Sequence, residues 1–132
     1  MLFLDTSALI KRYVDEDGTA LVLRRMEADP DWVVSGVART EAEISLCRLG
    51  FEPGSAEPWQ RFREDWERCY VVPLDIACLE RAAELGCRYQ VRTLDAVHLA
   101  AADRLPSPLV VLTFDRRQAD VARAMNLMVE GA

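Results

Sequence analysis

Short apolar segments alternate with longer helical stretches along the whole chain, and this alternation constrains the fold more than any other feature. Residues 2–5, 32–35, 70–74 and 109–113 are predicted to be strands, with a short fifth strand at 127–129. Strands that alternate with helices form parallel sheets, because each helix carries the chain back to the starting edge of the sheet. The sequence therefore predicts a three-layer α/β/α fold with a parallel central sheet of four to five strands.

Helical periodicity predicts seven helices around these strands. Thr6 or Ser7 can cap the first of them. The only linker-like stretch, residues 51–58, is too short to separate two domains, so we expect one domain over residues 1–132. The predicted helices span residues 6–14, 19–28, 37–49, 59–68, 76–89, 94–104 and 116–125.

Four carboxylates lie at junctions where apolar segments meet helical ones, or in the first turns of a helix. Asp5 and Asp115 follow predicted strands. Glu41 lies in the first half of a helix, and Asp95 precedes a run of small residues on another. Ligands bind beyond the carboxyl ends of parallel strands, and clustered carboxylates repel one another unless a hard cation holds them. The sequence therefore predicts a metal site at this edge of the sheet and favours metal-assisted phosphoryl chemistry.

Each acid also has a purely structural explanation when it is taken alone. Asp5, Asp95 and Asp115 could cap the helices that follow them. Glu41 could lie on a solvated helix face. His98 follows Asp95 by three residues and could touch the site, although a core histidine is the simpler interpretation.

An aromatic stripe runs along the predicted helix at residues 59–68. Trp59, Phe62 and Trp66 share one face of this helix, and Tyr70 lies just beyond it. Core packing explains the stripe most simply, and a groove for a protein partner is the alternative.

The overall composition favours a globular protein with one hydrophobic core. Of the 132 residues, 51% are hydrophobic. No apolar run reaches the roughly 18 residues that a membrane-spanning helix needs. The first residues lack the basic region of a secretory signal peptide, so we expect a cytoplasmic protein.

The net charge of −6 argues against tight binding of bulk duplex nucleic acid by the monomer alone. A metal cluster softens this objection, because it adds acids to the count and itself binds phosphate. Lys11 is the only lysine, so arginine supplies nearly all of the positive charge. Five arginines near the acidic segments are candidates for phosphate contacts, with surface solvation as the default for each: Arg12, Arg39, Arg92, Arg116 and Arg117.

The four cysteines, Cys47, Cys69, Cys78 and Cys87, form no C-x-x-C pair, and the chain has a single histidine. A structural zinc site needs closely spaced cysteine and histidine pairs. Disulfide frameworks are rare in cytosolic chains. We therefore expect four reduced thiols that are buried or partly buried.

The order of the acidic segments resembles the PIN domain family, and most closely the VapC-type toxins of bacterial toxin–antitoxin pairs. The matching stretches are LDTSALIK at residues 4–11, the segment at 35–41 that ends in glutamate, LDAVHLAAA at 94–102 and LTFDRR at 112–117. The first and third are fairly specific in combination, and the resemblance runs from residue 2 to about residue 127. Asn126 stands where relatives often carry glycine, and asparagine tolerates the same left-handed backbone.

The resemblance implies a metal-dependent endoribonuclease that acts as the toxin of a toxin–antitoxin pair. Ser7 and Thr113 would support the site through hydrogen bonds. The resemblance also implies an RNA substrate, a cognate VapB-like antitoxin as a partner, and a homodimer. Four acids would line an Mg²⁺ or Mn²⁺ site: Asp5, Glu41, Asp95 and Asp115.

Three alternative functions are open at this point. A phosphate-transfer enzyme of the haloacid dehalogenase kind would need a second aspartate two residues after Asp5, where Ser7 stands. A receiver-type signalling module would need a lysine late in the chain, and the only lysine is Lys11. The third is a PIN-like protein that binds RNA or a partner without cleavage, and the presence of all four acids counts against it.

Overall fold

A computed structural model describes residues 1–132. Its strands are β1 (Leu2–Leu4), β2 (Trp32–Ser35), β3 (Tyr70–Val72), β4 (Val110–Thr113) and β5 (Met128–Gly131). They form one sheet in the order β3-β2-β1-β4-β5, and every neighbouring pair is parallel. The predicted parallel sheet, including its fifth strand, is confirmed. Because β1 lies in the middle, its carboxyl end lies between those of β2 and β4.

Seven α-helices cover this sheet, as the periodicity predicts. They are α1 (Thr6–Leu9), α2 (Thr19–Ala28), α3 (Val37–Arg48), α4 (Glu57–Arg68), α5 (Ile76–Tyr89), α6 (Thr93–Asp103) and α7 (Arg116–Ala124). None of them combines the length and the apolar character that crossing a membrane requires.

The first helix differs from its prediction in length and in its cap. The α-helical part of α1 ends at Leu9, and one 3-10 turn over Ile10–Arg12 takes the place of the predicted helix up to residue 14. The N-cap is Asp5 instead of Thr6 or Ser7, because Asp5 Oδ1 accepts a hydrogen bond from the Ala8 backbone at 3.0 Å. The hydroxyl groups of Thr6 and Ser7 are therefore available for other contacts.

Alternate residues of the central strands pack into two hydrophobic layers on opposite faces of the sheet. Leu2 and Leu4 of β1 pack with buried side chains of α1 to α4, whereas Phe3 packs with those of α5, α6 and α7. All three residues of β1 are at most 1% exposed. This alternation follows from the twofold period of a strand and confirms the three-layer α/β/α architecture.

The four cysteines are free thiols, as the sequence predicts. Cys78 is buried and Cys69 is partly buried, but Cys47 and Cys87 are exposed, so the expected burial is wrong for these two. Cys47 follows the buried Leu46 by one residue, and Cys87 follows the buried Leu85 by two. A displacement of about 100–200° around the helix turns them away from the core.

The strand β5 approaches β4 closely at Gly131. The φ angle of Gly131 is +104°, and a Cβ atom there would lie 2.2 Å from the carbonyl oxygen of Thr113. Only glycine fits this position. Asn126, between α7 and β5, has a φ angle of +64°, which confirms that asparagine adopts the left-handed backbone there.

Candidate active site

Asp5 directly follows β1, in the middle of the carboxyl edge of the sheet, and is only 4% exposed. Its Oδ1 atom accepts hydrogen bonds from Ser7 Oγ at 2.7 Å and from the Ala8 backbone at 3.0 Å. Its Oδ2 atom accepts one from Thr113 Oγ1 at 2.8 Å. Both oxygens of this carboxylate are therefore held in place. The hydrogen bonds expected of Ser7 and Thr113 are present, and their role toward a metal stays a prediction.

The loop after β4 belongs to the same network. The backbone N–H of Phe114 donates to Ser7 Oγ at 2.9 Å, and that of Asp115 donates to Thr113 Oγ1 at 3.1 Å. Asp115 Oδ1 accepts from the Gln118 backbone at 2.9 Å and caps α7. The buried Gln118 side chain places Oε1 3.1 Å from Thr113 Oγ1. Thr113 thus connects the end of β1 to the start of α7.

Glu41, on α3, shares one carboxylate oxygen between two other side chains. Thr6 Oγ1 donates to Glu41 Oε1 at 2.8 Å, and His98 Nε2 lies 2.5 Å from the same oxygen. On the other side of the ring, His98 Nδ1 lies 3.2 Å from Ser35 Oγ. His98 is 3% exposed. The histidine is therefore a buried residue, as expected, and also a direct contact of Glu41.

Asp95 lies in the first turn of α6 and is connected to Asp115 by Arg92. Arg92 Nε donates to Asp95 Oδ2 at 3.2 Å, and a terminal nitrogen of the same guanidinium lies 3.5 Å from Asp115 Oδ2. Asp95 does not cap α6, because the N-cap position is occupied by Arg92. The Arg92 side chain is 82% exposed. The exposed guanidinium of Arg92 thus lies between two of the four acids.

A cleft of about 350 Å³ opens at this edge of the sheet. Four of its five lining residues are polar or charged, and they come from α3 and from the start of α6. A polar cleft beyond the strand ends is where parallel α/β sheets bind ligands. The residues that line it are Glu41, Arg92, Thr93, Leu94 and Asp95.

Two of the four predicted acids line this cleft, and the other two are linked to it through Arg92 and Thr113. Glu41 and Asp95 line the cleft together, and Asp95 and Asp115 share one guanidinium. One threonine hydroxyl joins Asp5 to the backbone of Asp115. In these positions no three histidine, cysteine or acidic side chains could hold a metal ion together. The structure therefore brings the acids to one edge of the sheet without arranging them as a set of ligands.

The pKa values of Asp5 and Glu41 shift in opposite directions. Burial raises the pKa of Asp5, and the hydrogen bonds from Ser7 and its other donors only partly offset this effect. Burial acts in the same direction on Glu41, but the hydrogen bonds and electrostatic attraction of His98, with a hydrogen bond from Thr6, lower its pKa below the usual value. A cation beside Asp5 would favour its ionised form.

Most of the arginines predicted as candidates for phosphate contacts have other partners. Arg12 bonds Asp65 at 2.6 Å, and Arg39 pairs within its own helix. Arg117 donates to two backbone carbonyls at the end of α5. Arg92 is the one of the five that contacts the acids of the cleft.

Sequence reasoning did not place Thr6, Ser35 or Gln118 at the site. Ser35 was identifiable as a lone hydroxyl at the end of an apolar strand, and it is fully buried. Gln118 follows Asp115 by three residues, which is the spacing of a capping box. Thr6 lies beside Asp5, and nothing in the sequence pairs it with Glu41.

The aromatic stripe of α4 is mainly part of the core. Trp59 is 5% exposed and Phe62 is 1% exposed, which confirms core packing for these two side chains. Trp66 is partly buried, and Tyr70 is exposed on β3.

Comparison with known proteins identifies the family of this fold. Residues 2–124 match the PIN domain. The chain belongs to the PIN domain family. A relative with a similar sequence, the ribonuclease VapC46 of Mycobacterium tuberculosis, is 31% identical over 129 residues, which are 97% of this chain and 95% of the relative.

Solved structures share the architecture of this PIN domain at lower sequence identity. A toxin–antitoxin complex from Klebsiella pneumoniae aligns with a TM-score of 0.69 and 20% identity, over 87% of each chain. FitAcB from Neisseria gonorrhoeae aligns with a TM-score of 0.68 and 16% identity, over 98% of this chain and 96% of the other. These likenesses support the fold described above.

Proposed function

We propose that this PIN domain is a metal-dependent endoribonuclease that cleaves RNA phosphodiester bonds as the toxin of a toxin–antitoxin pair. The proposal is carried by one observation: at one edge of the sheet two carboxylates line a cleft, and two more, from other elements, are linked to it through Arg92 and Thr113. The name of the VapC46 relative, a ribonuclease that matches 97% of this chain, supports the same activity.

The donor chemistry of the cleft fits Mg²⁺ or Mn²⁺. The acids and the neighbouring hydroxyls offer only oxygen ligands, which these hard cations prefer. Arg92 already supplies positive charge between Asp95 and Asp115, where a divalent cation would serve the same purpose more strongly. A bound cation would supply Lewis-acid chemistry, because it makes water more acidic and neutralises charge that develops on the phosphate.

The protein itself would hold and orient the acids. Ser7 and Thr113 fix both oxygens of Asp5, so its carboxylate is arranged before any ligand enters. The exposed Arg92 would be free to pair with an RNA phosphate once a cation compensates the acids. This scheme needs neither a serine nor a cysteine nucleophile.

The test is cleavage of total cellular RNA by the purified protein with Mg²⁺, with Mn²⁺ and with EDTA. Discrete fragments should form only with metal. Asp95→Asn should lower the cleavage rate at least about 100-fold, since it removes a charged oxygen from the cation site. Asp103→Asn is the matched control, because Asp103 ends the same helix and pairs with Arg81 at 2.9 Å. That variant should cleave like the wild type.

Two outcomes would contradict the proposed ribonuclease. Full activity in a folded Asp95→Asn variant would remove Asp95 from the site. RNA binding without cleavage in any of the metal conditions, by a well-folded wild-type protein, would favour the non-cleaving PIN-like binding module instead.

We further propose a cognate VapB-like antitoxin as the partner of this toxin, and a homodimeric toxin. The likeness to the Klebsiella pneumoniae toxin–antitoxin complex supports this partner. A groove of about 320 Å³ between α3 and α4 is lined in part by Ile44, Pro53 and Trp59. The buried indole N–H of Trp59 has no hydrogen-bond partner, and Ile44 is 44% exposed. A partner segment would cover the isoleucine and could offer a carbonyl to the indole.

Co-purification tests this interface. Ile44→Arg should prevent the antitoxin from co-purifying while RNA cleavage continues, because α3 carries this side chain on its exposed face. Leu79→Arg is the matched control, since Leu79 is 43% exposed on the opposite layer of the fold. Light scattering of the toxin alone should give about twice the 14.9 kDa of one chain. Retention of the antitoxin by Ile44→Arg would refute this groove as the binding surface.

A further inference from the structure

Glu41 differs from the other three acids because a buried histidine holds it. His98 on α6 places Nε2 2.5 Å from Glu41 Oε1 on α3, so the contact joins two helices that are 57 residues apart in sequence. The ring is 3% exposed, and its other nitrogen lies 3.2 Å from the fully buried Ser35 Oγ at the end of β2. Both nitrogens of the imidazole therefore have a protein partner.

These partners determine where the ring carries its proton. An ionised carboxylate can only accept a hydrogen bond, so His98 Nε2 must donate to Glu41. The Ser35 hydroxyl can donate to Nδ1 or accept from it, so it can pair with that nitrogen whether or not the nitrogen carries a proton. Ser35 therefore accommodates the proton on Nε2 that Glu41 requires and holds the other side of the ring in place.

The same contacts distinguish the two oxygens of Glu41. Thr6 Oγ1 also donates to Oε1, at 2.8 Å. With two donors on Oε1, the orientation of the carboxylate is set, and Oε2 is left for the cleft that Glu41 lines. A carboxylate without these donors would rotate freely about its terminal torsion, which is broad for glutamate.

We propose that His98 is a positioning residue that, supported by Ser35, holds Glu41 so that its second oxygen faces the divalent cation. This inference rests on the proposed function, because Glu41 is one of its proposed metal ligands. His98 does not touch RNA and transfers no proton in this role. Side chains that orient metal ligands in this way typically contribute about 10- to 100-fold to metal affinity or activity.

Two amide substitutions of His98 provide a matched test. In His98→Gln the amide nitrogen lies near the former Nε2 position and can still donate to Glu41. In His98→Asn the amide lies near the former Nδ1 position and is too short to reach Glu41. Both variants remove the ring from a buried site, so the comparison between them separates the hydrogen bond from the loss of packing.

The primary measurement is the affinity of the full chain for Mn²⁺, followed by the electron paramagnetic resonance of the free ion. His98→Asn should weaken binding about 10- to 100-fold, and His98→Gln should stay closer to the wild type. The kcat of RNA cleavage should follow the same order, with KM unchanged, because the histidine lies away from the substrate. Rescue by glutamine but not by asparagine would not arise from a merely structural role.

A second measurement needs neither a variant nor a metal. The ¹⁵N spectrum of the imidazole in the wild-type protein should show a proton on Nε2. A ring without a proton on Nε2 would overturn the positioning role, even if both His98 variants fail to fold. Equal Mn²⁺ affinity of folded His98→Gln and His98→Asn would overturn the positioning role while leaving the proposed ribonuclease intact. A wild-type chain that neither binds Mn²⁺ nor cleaves RNA would overturn the proposed function and this inference with it.

Discussion

Asp5 carries an ionisable carboxylate into a position that is only 4% exposed. Burial raises its pKa above the value in the unfolded chain, so the folded protein binds a proton over a pH range where the unfolded chain does not. The folded state is therefore favoured by protonation. The free energy of unfolding should fall as the pH rises from the unfolded pKa through the folded pKa.

The substitution Asp5→Asn should remove the free-energy cost of burying an ionised carboxylate at this position. Its amide oxygen can accept from Ser7 and Ala8, and its NH₂ group can donate to Thr113 Oγ1, so the contacts survive without the charge. We expect the metal-free variant to be more stable than the wild type at neutral pH, by about 1 kcal/mol, and inactive. Urea unfolding across the acid-to-neutral range measures the stability and its pH dependence, and the RNA cleavage assay measures the activity. A variant less stable than the wild type at pH 7 would show that the hydrogen bonds outweigh the loss of hydration.

The thiols should differ in reactivity according to their burial. Burial, assisted by the nearby Asp65, raises the pKa of Cys69 to about 11, so under about one in a hundred of these groups is a thiolate at pH 8.5. Cys47 and Cys87 are exposed. Iodoacetamide should label these two first, with Cys69 and the buried Cys78 labelled only after denaturation. Early labelling of Cys69, read by peptide mass spectrometry, would contradict the burial described here.

Among the elements, β5 depends on a single backbone position more than on its side chains. Its residues are partly or fully exposed, whereas Gly131 approaches the Thr113 carbonyl so closely that no Cβ atom fits. Thr113 also donates to Asp5. The edge strand therefore packs against the residue that holds the central acid.

The variant Gly131→Ala tests this connection. The left-handed backbone and the 2.2 Å contact should together cost at least about 2 kcal/mol and lower the proposed activity by disturbing Thr113. Gly50→Ala is the control, because Gly50 has a φ angle of +90° but no atom within 4 Å of an added Cβ. It should cost about 1 kcal/mol, from the backbone alone. Equal losses in thermal unfolding would mean that the end of β5 moves aside without strain.

The elements were predictable from sequence because their signals are local. Each apolar run or helical period is contained in a short stretch of consecutive sequence. These signals located all five strands and all seven helices. The pairing of Glu41 with His98 joins residues 57 positions apart, and no local pattern specifies it. The bridge from Arg92 to Asp115 likewise depends on the order of strands, which places the start of α6 beside the start of α7. Convergence of the acids at one edge was predictable, but their individual partners were not.

For the molecule as a whole, the three tryptophans lie on one side of the sheet. Trp32 and Trp59 belong to the layer built by α1 to α4, and Trp66 packs against it. Their fluorescence therefore reports on that layer alone. Far-ultraviolet circular dichroism reports on the helices of both layers, so a comparison of the two signals tests whether the layers unfold together.

The variant Leu85→Ala makes this comparison specific. Leu85 is 1% exposed in the layer without tryptophan, and its truncation should cost about 2–5 kcal/mol. If the sheet couples the layers, tryptophan fluorescence and circular dichroism should shift to the same lower midpoint. Leu46→Ala, a fully buried change in the other layer, is the control. A fluorescence midpoint unchanged in Leu85→Ala would show that the layers unfold separately.

The central position of β1 has a consequence for synthesis on the ribosome. β1 is made first, yet one of its two neighbours in the sheet is β4, and the hydrogen bond from Thr113 to Asp5 spans 108 residues. A nascent chain that stops before β4 has already made Asp5 and Glu41 but lacks the strand that aligns them. An interrupted translation product should therefore be harmless to the cell that makes it, and the proposed nuclease would become dangerous only after residue 115 has emerged.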